Sequence, residues 1–191
     1  RVLRLRTILW FWVPLAATWL MMSVEGPYVA AIIARMPNAA FNLAAYGVAF
    51  SLAWLAESPI MMLLTASNTL VRDRQSYFAL RRFTWLLNAC VTATMIIGVV
   101  PPVFRFVTGS LMGLPPDVAR LVHLATIILI PWPAAIGYRR FYQGILVRHR
   151  LTRRVAYGTV VRLATMSLTA AGLALTTSMH GASIGGAALA A

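Results

Sequence analysis

Residues 19–33 read WLMMSVEGPYVAAII and residues 50–64 read FSLAWLAESPIMMLL, and these two stretches decide the fold. Each is an apolar run holding one glutamate, Glu25 in the first and Glu57 in the second, with a proline two residues further on. A carboxylate at bilayer depth is costly, so it faces a protein interior or a water-filled path. The proline removes a backbone donor and frees a carbonyl, which survives at that depth only when buried in protein or lining a cavity. Two such motifs in successive runs read as a polytopic, all-α membrane bundle with a polar pathway inside it.

Composition leads to the same class. The 191 residues are 60% hydrophobic and only 11% charged, with a mean hydropathy of +0.77. A soluble domain carries roughly 25% charged residues, so an ordinary soluble fold is excluded. The net charge of +13 comes from 17 cationic residues against 4 acidic ones, and every cation is an arginine. These arginines gather at the ends of apolar runs and form no basic stripe interleaved with aromatics. They are a topology signal and not a nucleic-acid interface. Cys90 is the only cysteine, which excludes an intrachain disulfide and a cysteine metal cluster. The chain starts on Arg1 and ends in an apolar tail, so it reads as an excerpt of a longer protein forming a single helical lobe. The first apolar run is too long for a cleavable signal peptide.

Five spans are expected, at about residues 7–35, 40–71, 83–107, 118–147 and 155–178, with a sixth opening at about 181. Each exceeds the ~20 residues that cross a ~30 Å hydrocarbon core, so tilts or proline kinks are expected. The Gly- and Ala-rich segment from 181 is suited to close packing on a neighbour. Eleven arginines fall on one side: Arg1, Arg4 and Arg6, then Arg72, Arg74, Arg81 and Arg82, then Arg148, Arg150, Arg153 and Arg154. The other side holds Arg35, Arg105 and Arg120. The positive-inside rule then makes the N-terminus and both basic loops cytoplasmic, in a multi-pass protein of the inner membrane. Between spans three and four, Pro101, Pro102, Pro115 and Pro116 bracket a tight turn, with a short interfacial helix expected at 110–114.

Depth along the spans brings the remaining charges together. Glu25 and Glu57 fall near the middle of spans one and two. Arg139 and Arg140 precede Arg148 by eight or nine residues, which is roughly 12–14 Å at a helical rise, and Arg162 lies a similar distance beyond Arg154. One reading is a positively charged recess in which Arg139, Arg140 and Arg162 bind an anionic solute, while Glu25 or Glu57 couples its movement to an ion gradient. The other is static pairing between helices, for instance of Glu57 with Arg139, Arg140 or Arg162. Adjacent arginines on a helix point about 100° apart, so Arg139 and Arg140 need not both face the recess.

The segment IPWPAAIGYRRFYQG (130–144) carries the same choice. Pro131 and Pro133 interrupt span four, with Trp132 and Tyr138 as candidate substrate-stacking rings on a broken helix; alternatively the break is a packing kink. His123 is expected to be a satisfied structural histidine, since no second ligand for a haem or chlorophyll is visible. No HExxH, GxSxG, Walker or glycine-rich dinucleotide pattern occurs, which argues against an enzyme and leaves no cofactor indicated.

The strings FWVPLAATWLMMSVEGP (11–27), LAAYGVAFSLAWLAESPIMMLLTASNTLVRDRQSY (43–77) and PWPAAIGYRRFYQGILVRHR (131–150) resemble bacterial relatives of the progressive ankylosis protein. That family sits in the multidrug/oligosaccharidyl-lipid/polysaccharide flippase superfamily, with the multidrug and toxin extrusion (MATE-like) transporters. The likeness runs from about residue 11 to 175. It implies two six-helix lobes around a cleft of alternating access, of which this chain would supply the first, and export of small anions such as pyrophosphate, nucleotide phosphates or citrate. The leading expectation is therefore a secondary transporter of a small anionic or amphipathic solute, partnered by membrane lipids and a second lobe. The alternative is a non-transporting subunit packed against partner subunits of a larger, for instance energy-converting, membrane complex.

Overall fold

The computed structural model describes residues 5–176 and 179–190, so Arg1, Arg4 and the expected end of span five at 178 lie outside the described residues. Every regular element among them is helical: α1 (Leu5–Ile33), α2 (Ala39–Glu57), α3 (Met62–Leu70), α4 (Arg74–Val99), α5 (Pro101–Arg105), α6 (Pro116–Leu129), α7 (Trp132–Arg148), α8 (Thr152–Thr176) and α9 (Gly181–Ala190). Five stretches are long and apolar enough to cross a membrane: Ile8–Ile33, Ala39–Leu70, Arg74–Val99, Pro116–Arg148 and Thr152–Thr176. Their outward faces carry Trp12, Leu20, Leu55, Leu86, Leu168 and Leu175 in the open. An exposed apolar girdle of this extent is stable only in lipid, and the chain is a helical membrane protein.

Two of the spans are broken, and each break has a local cause. In span two Pro59 cannot serve the Leu55 carbonyl, so Ser58–Met61 tightens into a 3₁₀ turn. The Ser58 backbone N–H and hydroxyl both donate to the Leu55 carbonyl instead. In span four the Pro131 and Pro133 pair separates α6 from α7, and Ile130 N–H falls back to the Ile127 carbonyl at 3.2 Å.

Spans two and four run side by side in the same direction, α2 on α6 and α3 on α7, which sets their breaks opposite each other. Ala45, Ala49 and Ala53 recur every fourth residue on α2, are fully buried, and share the core with Val122, Ala125 and Leu129 of α6. Small residues let the two backbones approach, as membrane helices require without a hydrophobic drive of their own. Span five packs on span one, and α4 covers α7. The small helix α9 wedges between α2, α6 and α8. There, Cβ atoms at Gly185 and Gly186 would meet Tyr46 Cδ2 at 2.7 Å and the Ala125 carbonyl oxygen at 3.2 Å.

Three boundaries differ from the sequence reading. Span three starts at Arg74 and not near 83, because the Asp73 carboxylate accepts the Ser76 N–H at 2.7 Å and the Ser76 hydroxyl accepts the Asp73 N–H, a reciprocal cap that begins the helix early. Much of the expected basic loop is thus helical. The span ends at Val99, where Pro101 starts α5. The expected helix at 110–114 is displaced upstream, since α5 continues into a π-helical turn at Phe106–Leu111 and the chain then reverses at Gly113, whose φ of +63° suits glycine.

Candidate functional site

The facing breaks of spans two and four create the site. Glu57 is the last residue of α2 and Trp132 the first of α7, so both side chains are delivered to mid-span where the helices are interrupted. Span one adds Trp19, Ser23 and Glu25, and span five adds Arg162. Together with Arg140 they line a cavity of about 270 Å³, closed by Phe50, Trp54, Met61, Ile136 and Leu189. Pro27 contributes here as well, since it withholds the N–H that would serve the Ser23 carbonyl.

The charges in this cavity are unevenly satisfied. The Arg162 guanidinium donates to the Glu25 carboxylate in an ion pair between α8 and α1. Arg140, 5% exposed, lies 5.6 Å from the centroid of the Trp19 ring, a cation–π contact between α7 and α1. Glu57 is 3% exposed and makes no hydrogen bond or ion pair among the described residues, although Arg140, Arg162 and Arg139 all act on it through space. Among the described residues the Trp132 indole N–H is buried without an acceptor, as is the Tyr46 hydroxyl behind Phe50, its ring stacked at 5.8 Å on that of Phe50 and outside the cavity lining. Buried polar groups of native proteins are nearly always partnered, so the Trp132 N–H beside Glu57 leaves a donor free at the cavity wall.

Of the residues expected from the sequence, Glu25, Glu57, Arg140, Arg162 and Trp132 all line this one cavity. Arg139 does not: its guanidinium turns to α8 and donates to the Thr159 hydroxyl at 2.8 Å. Tyr138 points to the other side of α7, where its hydroxyl shares a 3.1 Å hydrogen bond with Tyr142 and its ring meets Trp85 edge-on at 6.0 Å. Four charged groups line the cavity, two of each sign, so its wall is formally balanced and not net positive. The carboxylate held by an arginine is Glu25, with Glu57 left over. His123 sits outside the site, its Nε2–H donating to the Val99 carbonyl at 2.8 Å at the open C-terminus of α4.

Sequence reasoning passed over Trp19, Phe50 and Trp54. A signal was present: Tyr46, Phe50 and Trp54 recur at intervals of four before Glu57, which lays one aromatic ladder along α2 toward the acid, with Phe50 also 5.9 Å from Trp132. Compared with protein-family models, with curated proteins and with solved structures, the chain matches none.

Proposed function

We propose that the protein is a secondary transporter of the MATE-like flippase type, moving a small anionic solute across the cytoplasmic membrane by alternating access, with its N-terminus and basic loops cytoplasmic. The observation that carries this reading is the mid-span cavity in which a buried, unpaired Glu57 faces Arg140 while Glu25 already occupies Arg162. The cavity of about 270 Å³ is smaller than the roughly 300–1,000 Å³ of drug-sized ligand sites, which favours a compact metabolite over a bulky amphipath.

The electrostatics supply a coupling scheme. While Glu57 is ionised it partly neutralises Arg140, the guanidinium best suited to grip a carboxylate or phosphate. Protonation of Glu57 frees that charge, so proton and anion bind cooperatively, and by linkage each raises the affinity for the other. On this scheme they cross together. The Trp132 N–H is a spare donor for the bound group. A second lobe, as the resemblance implies, closes the cleft.

The test is solute flux in proteoliposomes of the full-length protein, with a panel of phosphates and carboxylates under imposed proton and sodium gradients. At least one small anion is expected to move, faster when the proton gradient points with it. Glu57→Gln is expected to retain anion exchange and lose the dependence on the proton gradient, and Arg140→Gln to abolish uptake. Absence of flux for the whole panel, or unchanged coupling in Glu57→Gln, contradicts the scheme.

The Glu25–Arg162 pair favours a second reading, in which it is an interhelical tie in a non-transporting membrane subunit.

A further inference from the structure

At the basic end of the bundle, away from the central cavity, α1 and the α7–α8 turn form a cleft of about 560 Å³ whose lining includes Trp10, Arg150, Thr152, Arg153, Arg154 and Tyr157. Three arginines converge here, and none meets a carboxylate among the described residues. Arg153 lies 5.0 Å from the centroid of the Trp10 ring, which fixes the charge at the cleft wall. The surroundings add to the positive potential: Arg153 and Arg154 stand in the first turn of α8, at the positive end of its dipole, and that turn has no acidic residue. Arg150 holds φ = 58° at the end of α7, with the Leu151 N–H returning to the Leu146 carbonyl at 2.8 Å. Glycine normally fills that left-handed position, and here a guanidinium is presented from it. Thr152, 3% exposed, lines the cleft with a hydroxyl that has no hydrogen-bond partner among the described residues.

We propose that this cleft is a binding site for the phosphate headgroup of an anionic phospholipid. Arginine forks and a free hydroxyl match phosphate oxygens, and basic pockets between helices at the membrane surface take such headgroups. The remaining lining decides between a lipid and free phosphate. Trp10, Leu151 and Tyr157 are exposed apolar or amphipathic surface beside the charges, continuous with the exposed Leu9 of α1 and Val160 and Val161 of α8. A phosphate ion leaves that surface unused, whereas a phospholipid seats its phosphate on the arginines and runs its chains along the two helices.

The site stands independently of the transport reading, and its test needs no flux. The purified full-length protein in neutral detergent is titrated with short-chain phosphatidylglycerol, short-chain phosphatidylcholine and inorganic phosphate, and the thermal unfolding midpoint is followed. Phosphatidylglycerol alone is expected to raise the midpoint saturably. The double variant Arg153→Gln/Arg154→Gln is expected to need roughly tenfold more of it or beyond, while Arg72→Gln/Arg74→Gln at the other basic turn titrates like the parent. Should the first double variant fail to fold, Trp10→Leu, which removes the ring beneath Arg153, must weaken phosphatidylglycerol in its place. A phosphatidylcholine or phosphate response equal to that of phosphatidylglycerol, or a parent-like titration by the cleft variants, overturns the proposal.

Discussion

Spans two and four are held together by shape, whereas spans one and five add charge to their packing. In the most apolar stretch of span four 44% of residues are buried, against 11% in span one and 17% in span five. The α3–α7 contact leaves no room for a side chain at Gly144, where a Cβ would stand 1.9 Å from Ser67 Oγ and 2.4 Å from the Leu64 carbonyl oxygen. The α1–α8 contact has a different tie, the Glu25–Arg162 pair, with Arg140 on Trp19 and Arg153 on Trp10 as further charge contacts to α1. Interdigitated helices have few alternative arrangements, because packed interiors do not deform continuously. α1 and α8 pack on each other too, with Val29, Ile33, Met166 and Ala170 buried in the common core, but part of their attachment is charge that can change partners. The densely buried half positions Glu57 and Trp132, and the sparsely buried half carries the exchangeable contacts.

Breaking the tie gives the largest expected effect. Arg162→Gln strands Glu25 as a buried carboxylate and is expected to cost about 3–5 kcal/mol, read as a fall in the thermal or denaturant midpoint. If the loss is under about 1 kcal/mol, the scale of an exposed pair, α1 is not held to α8 by charge. Next comes the shape-held half: Gly144→Ala forces Cβ against backbone and is expected to cost about 1–3 kcal/mol. Its cost should be nearly the same in an Arg162→Gln background, since the two contacts share no partner. Strong coupling between them would contradict the division into two halves.

The smallest effect is at the Asp73 cap, where the Ser76 N–H bonds the carboxylate and holds its pKa below the ordinary value. A depressed folded-state pKa stabilises above the unfolded value, and that contribution fades as pH falls through the folded value. Asp73→Ala is thus expected to be slightly less stable than the parent at neutral pH, with the gap closing in acid. A gap that widens in acid would show that the cap works without its charge.

What the sequence disclosed and what it withheld separate along physical lines. Spans, breaks and mid-span charges follow from hydropathy and proline chemistry, and Glu25, Glu57, Arg140, Arg162 and Trp132 were all legible as chemistry-bearing residues. Pairing was not. Whether Arg162 meets Glu25 or Glu57 depends on the rotation of α8 against α1 and α2, and residue depth carries no information about rotation. The same ignorance of helix face left Tyr138 and Arg139 undivided from Arg140, although one residue turns a side chain by about 100°. Trp19 escaped notice because an exposed membrane tryptophan reads as lipid-facing until its ring is seen beneath Arg140. The early start of span three hid in a local cap, since Asp73 and Ser76 are polar residues in a basic stretch that reads as loop.

Whether the cavity charges bind a solute or only hold helices together is read from anion flux through Arg140→Gln/Glu57→Gln in proteoliposomes, alongside its thermal stability. Removing both charges strands no carboxylate and keeps the Glu25–Arg162 tie, so the double variant should stay close to the parent in stability. Anion flux is expected to fall by an order of magnitude or more, since the guanidinium that grips the substrate is gone. A double variant as stable as the parent that transports as fast would make these charges architecture alone.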